Sequence, residues 1–132
     1  MTPPTGDERH GFQYVVLRCV PRVDREEFVN VGVVLHCQSR DYLASLGRVS
    51  PERLAALDPT LDAGKVRAAL ATIDAVCRGD ATAGAPTRTS LSRRFGWLAA
   101  PKSTVVQPGP IHGGVTDDPA RELRRLLDSL VG

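Results

Sequence analysis

Nine side chains are of types that could do chemistry and stand where the surrounding pattern does not call for them: Arg18, Asn30, His36, Arg93, Arg94, Lys102, Ser103, Thr104 and His112. Arg18 interrupts an apolar run. It must reach solvent or an anion, because an unpaired buried charge costs several kcal/mol. Glu26 or Glu27 could supply a structural ion pair, and the other reading is recognition of a phosphate or carboxylate. Asn30 and Gly32 break a β-branched strand in which both types are depleted. They mark either a bulge, with Asn30 bonded to loop backbone, or the close approach of a ligand or partner. Arg93, Arg94, Lys102, Ser103 and Thr104 belong to the group types that hold phosphate or acidic side chains, and His112-Gly113-Gly114 follows with flexible backbone amides. Against that, Phe95 and Trp97 in the same stretch also suit core anchors, and exposed arginines can simply be solvated.

Other chemistries fit less well. His36, Cys37 and His112 lack ligand-pair spacing, and neighbouring strand residues point to opposite faces, so no metal is expected. Ser103 or Thr104 with His112 could form a nucleophile and base. No strained nucleophile turn, phosphate-binding loop or dinucleotide fingerprint accompanies them, so no catalytic residue and no cofactor is expected.

Net charge is +2 over 132 residues, too small to mark a nucleic-acid-binding domain as a whole. Its distribution is uneven. No acidic residue occurs between Asp80 and Asp117, where Arg88, Arg93, Arg94 and Lys102 all fall, so that segment could attract anions. The apolar runs are broken well short of the roughly 20 residues a spanning helix needs. Three cysteines without CxxC spacing suit reduced thiols in a cytoplasm.

The elements that must position these residues are legible from periodicity. Phe12 to Val20 reads as a strand, with Phe12, Tyr14, Val16 and Arg18 on one face and Val15, Leu17 and Cys19 on the other. Phe28 to Cys37 reads as a second strand, whose Val29, Val31, Val33, Leu35 and Cys37 face a core while Asn30, Gly32, Val34 and His36 face away. Tyr42 to Leu46 completes a meander. Ser50-Pro51 starts a short helix, Asp62 to Gly79 makes a longer one, and Asp118-Pro119 starts the last. Asp80 to Thr89 is a connector expected to be mobile, and Ser103 to Gln107 a fourth strand. Residues 1–10 read as a disordered leader and residues 11–132 as one domain. The expectation is an α+β fold, an antiparallel sheet of about four strands with helices packed on one face. Arg18, Asn30 and His36 would then share the open face.

Two blocks, Tyr14 to Arg22 with Glu26 to Leu35, and Phe95 to Pro108, resemble family three thousand and thirty-seven of the bacterial domains of unknown function. The resemblance covers nearly all of the chain after the leader. It implies no activity, and it implies as a partner a kinase-like protein of the HipA type. The favoured reading is a non-catalytic interaction or accessory module that binds an acidic protein surface through the open sheet face and the basic segment. The alternatives are an enzyme or accessory subunit holding a phosphorylated ligand with Arg18, Asn30, Arg94, Ser103, Thr104 and His112 around one pocket, and, less favoured, a nucleic-acid-binding protein.

Overall fold

Alternating apolar side chains set the first three strands, β1 (His10–Cys19), β2 (Val29–Cys37) and β3 (Tyr42–Gly47), each antiparallel to the one before. The computed structural model describes residues 9–80, 88–102 and 104–132; most of the expected leader and of the expected mobile connector, and Ser103, lie outside them. Two tight turns join the strands. Val23–Arg25 and Gln38–Arg40 form single 3-10 turns, closed by Glu26 and Asp41 in the left-handed region at φ 55° and 51°.

Between β1 and β2 the register slips by one residue. Leu17 pairs with Gly32 and Arg18 with Asn30, so Val31 is extruded as a bulge. The slip reverses the alternation of β2. Asn30 joins the face of Val33, Leu35 and Cys37, while Val29 and Val31 join the face of Val34 and His36. Gly32 is required there, because a Cβ at this position would lie 2.8 Å from the Leu46 carbonyl oxygen.

Helices follow with the capping chemistry the sequence displays. Ser50 caps α1 (Pro51–Leu57), Asp62 caps α2 (Ala63–Arg78), Ser90 caps α3 (Leu91–Ala99) and Asp118 caps α4 (Pro119–Leu130), each side chain accepting an amide of the first turn. Gly79 ends α2 in the left-handed conformation at φ 74°. Along the free edge of β1 run two short strands. β5 (His112–Thr116) pairs with its first half and β4 (Val106–Pro108) with its end, giving a five-stranded antiparallel sheet.

The α+β class and the antiparallel sheet match the sequence reading. The expected one-sided covering holds for α1, α2 and α3 only. Leu54, Val66, Val76, Cys77, Phe95 and Leu98 from these helices pack on Val15, Leu17, Val31 and Val34. On the opposite face, Leu123, Leu126, Leu127 and Val131 pack on Phe12, Val33, Leu35 and Cys37. Both sheet faces therefore bear a core, and the face expected to stay open beside Val34 and His36 is closed: Val34 is 0% and His36 6% exposed. The fourth strand also begins later than expected, at Val106 rather than Ser103.

Candidate functional site

α4 packs on β2 and β3 and leaves the outward side chains of β1 beyond Phe12 only half covered. Tyr14, Val16 and Arg18 line this strip, all of intermediate exposure. Arg18 places its guanidinium carbon 4.1 Å from the centre of the Phe28 ring, itself 43% exposed. Gly109, at the end of β4, abuts the same group, and a Cβ there would lie 3.0 Å from Arg18 Nε. That nitrogen is buried without a hydrogen-bond partner. The expected ion pair with Glu26 or Glu27 is not made. Glu26 closes the 3-10 turn, and Glu27 takes Arg25 at 2.7 Å instead.

Asn30 stands opposite Arg18 in the ladder and donates its side-chain amide to the Leu130 carbonyl at 3.0 Å. It thereby ties the end of α4 to the sheet rather than bonding to loop backbone. At the other end of the strip His112 stacks on Tyr14, ring centres 5.2 Å apart, and Tyr14 in turn neighbours Phe12 at 6.0 Å. Arg18, Asn30 and His112 thus share one face of the sheet.

The remaining candidates lie elsewhere. His36 is buried against α3, stacked on Phe95 with centres 5.3 Å apart and with Nε2 unpartnered; burial lowers its pKa, keeping the ring neutral. Arg94 donates to the Thr89 carbonyl at 2.9 Å and the Cys77 carbonyl at 3.3 Å, joining α3 to the end of α2. Lys102 lies over the Trp97 ring and donates to the Trp97 and Ala100 carbonyls, the C-terminal end of α3. Thr104 bonds locally to the Val106 carbonyl. Arg93 is exposed and carries no ion pair among the described residues. The sheet stands between Arg94 and the group of Arg18, Asn30 and His112, so the single pocket expected for a phosphorylated ligand does not form among the described residues. Of the basic segment, Arg93 and Arg94 ride on α3 at the other face of the sheet, whereas the Lys102 amide donates to Gln107 Oε1 at 3.2 Å, beside the ladder partner of Arg18.

Two features escaped the sequence reading. Phe28 is the stacking partner of Arg18, and the signal for it was an aromatic residue at the start of β2, ten positions beyond the arginine. Tyr14 pairs with His112 only because His112–Thr116 is a strand.

The three cysteines are buried and unpaired, as core residues should be. Burial pushes the Cys77 thiol up to about 12 and raises Cys19 as well, so neither offers a thiolate nucleophile at neutral pH. Among the described residues no group of three His, Cys, Asp or Glu side chains could hold a metal ion, and no helix is long and apolar enough to cross a membrane.

No curated protein and no solved structure is significantly similar to this chain. The model of one family, described as a protein of unknown function (DUF3037), matches residues 14–131. Nearly the whole sheet and all four helices fall within that match, and the chain belongs to the DUF3037 family.

Proposed function

We propose that the chain is a non-catalytic interaction module whose half-open strip of Tyr14, Val16, Arg18, Phe28 and His112 seats a protein partner through a carboxylate. Supporting this is one observation above all: Arg18 is a cation held in place by an aromatic ring, with a buried N–H unused and no acidic partner among the described residues. An arginine already ordered by stacking loses little further freedom on binding, and arginine and aromatic side chains dominate binding hot spots. Asn30 contributes by fixing the end of α4 beside the strip. Arg94 and Lys102 serve the fold, as a helix tie and a cap.

The family resemblance makes a HipA-like kinase the first partner to try, in a cytoplasm whose reducing conditions suit three unpaired thiols. Titration calorimetry of the two proteins at low and high salt tests the reading. A salt-sensitive complex is expected, weakened by about tenfold or more in Arg18→Ala. No complex at either salt, or a complex indifferent to Arg18, would sink it.

A further inference from the structure

β3 is an edge strand without the usual guards. Tyr42–Gly47 carries no proline, no charge and no bulge, whereas the opposite edge is split between β4 and β5 and interrupted by Pro108 and Pro110. An unguarded edge presents unpaired amides and carbonyls and recruits further strands. The Arg48 amide bonds the Val31 carbonyl at 2.8 Å, so by the alternation of an antiparallel ladder Tyr42, Ala44 and Leu46 direct their backbone groups at β2. Those of Leu43, Ser45 and Gly47 point outward.

Alongside this edge a groove of about 490 Å³ runs between β3 and α2. Leu46, Val49 and Leu70 make it apolar in the middle, and Arg67 and Asp74 charge its two ends oppositely. Arg67 is exposed and has no ion pair among the described residues. Asp74 already accepts from Ser45 Oγ at 3.3 Å and from Arg78 at 3.0 Å, and a carboxylate has lone pairs for a further donor. Arg67 and Asp74 are two turns apart on one helix face, and the midpoint between them falls between Leu70 and Ala71. A stripe with a cation at one end, an anion at the other and small or apolar residues between is complementary to itself turned end for end. A two-fold interface requires that property, and a surface shaped for an unrelated strand has no need of it.

We infer that the chain pairs with a second copy of itself through β3 and α2, continuing the sheet across a two-fold axis near Leu46 and between Leu70 and Ala71. Ser45 of one copy then bonds to Gly47 of the other, and Arg67 of each meets Asp74 of its mate.

Sedimentation velocity from micromolar to millimolar protein tests this, with each variant's fold checked by circular dichroism. Wild type should approach twice the 14.2 kDa chain mass as concentration rises. Arg67→Asp and Asp74→Arg should each self-associate about a hundredfold more weakly, since like charges then meet at both ends. Mixing the two variants should restore the dimer, because opposite charges face each other again. Ala71→Glu, at an exposed position on the axis, should also yield monomers and keeps the test sharp should Asp74→Arg misfold. A wild type that stays monomeric throughout overturns the inference and leaves the groove to a strand of another protein. A dimer untouched by Arg67→Asp and Ala71→Glu, or a mixture of folded variants that stays monomeric, overturns it equally.

Discussion

Arg18 faces Asn30 across the β1–β2 ladder because Val31, between Asn30 and Gly32, is extruded from the pairing. Without that extra residue, strict alternation would turn Asn30 into the core beneath α2 and α3 and turn Val31 toward α4. The bulge therefore does two things at once. It buries Val31, 1% exposed, and it delivers an amide to the last carbonyl of α4, that of Leu130. Both the half-open strip and the helix that borders it depend on one irregular step in the backbone.

Gly32→Ala tests the close approach of β3 to β2 beside that step. The added Cβ would meet a backbone oxygen at 2.8 Å, which cannot rotate away as a side chain could. A loss of about 2 kcal/mol is expected from overpacking. Urea unfolding followed by circular dichroism reads it directly, and an unchanged midpoint would show that the two strands do not approach this closely.

Much of the fold was legible because its devices are local. The alternation of β1 and β3, the Ser50-Pro51 and Asp118-Pro119 starts and the Gly79 stop each occupy a few consecutive residues, and each stands where the pattern puts it. What failed to show depends on contacts distant in sequence. β5 is His-Gly-Gly-Val-Thr, poor in strand formers, and it is ordered by pairing with β1, where Phe12 lies over Gly114 so closely that a Cβ there would touch the ring at 2.7 Å. α3 is short and carries Gly96 in its middle, so only Leu91, Phe95 and Leu98 betray its inward face. His36 looked outward because its strand's other face was already apolar; the sequence has apolar stripes enough for helices on both sides, so α3 covers the face of His36 and α4 the face of Val33, Leu35 and Cys37. Within the site, Arg18 was legible as an arginine in need of a partner. That the partner is Phe28 depends on the turn at Val23–Arg25, where Glu26 bonds through its backbone amide, Glu27 pairs with Arg25, and Phe28 is left to meet Arg18.

Asn30→Ala should loosen α4 at its end. The variant loses the bond to the Leu130 carbonyl and leaves that acceptor half-buried, at a cost of about 1 kcal/mol. Amide exchange should quicken selectively in the last turn of α4 while β1 and β2 keep their protection. Uniform quickening across the sheet would mean that Asn30 supports the bulge and not the helix.

Acid should weaken the fold through His36. Burial lowers its pKa from the ordinary 6.5, so on acidification the unfolded chain takes up a proton before the folded one does. Stability is therefore highest above 6.5, falls as pH drops below it, and stops falling on this account once the buried ring is itself protonated. His36→Leu removes the titration, and with it an unpartnered ring nitrogen, at similar volume. Melting temperatures measured from about pH 7 to about pH 5 should slope in wild type and run nearly flat in the variant. An equal slope in both would assign the acid sensitivity to another group.

Lys102 and Arg18 should separate folding from binding. Both are cations over aromatic rings 4.1 Å away, yet Lys102 also donates to the Trp97 and Ala100 carbonyls and so completes the end of α3. Lys102→Met retains much of the stem's packing on Trp97 and loses the carbonyl bonds, which should lower stability by about 1 kcal/mol and leave partner affinity unchanged. Arg18→Ala should do the reverse, costing affinity with little change in melting temperature, since its guanidinium makes no hydrogen bond through Nε and no ion pair within the described fold. Melting curves and binding isotherms on both variants check the contrast. If Lys102→Met weakened the complex as much as Arg18→Ala, the two cations would have to meet one partner around the sheet edge, and the strip beside α4 would be only part of the interface.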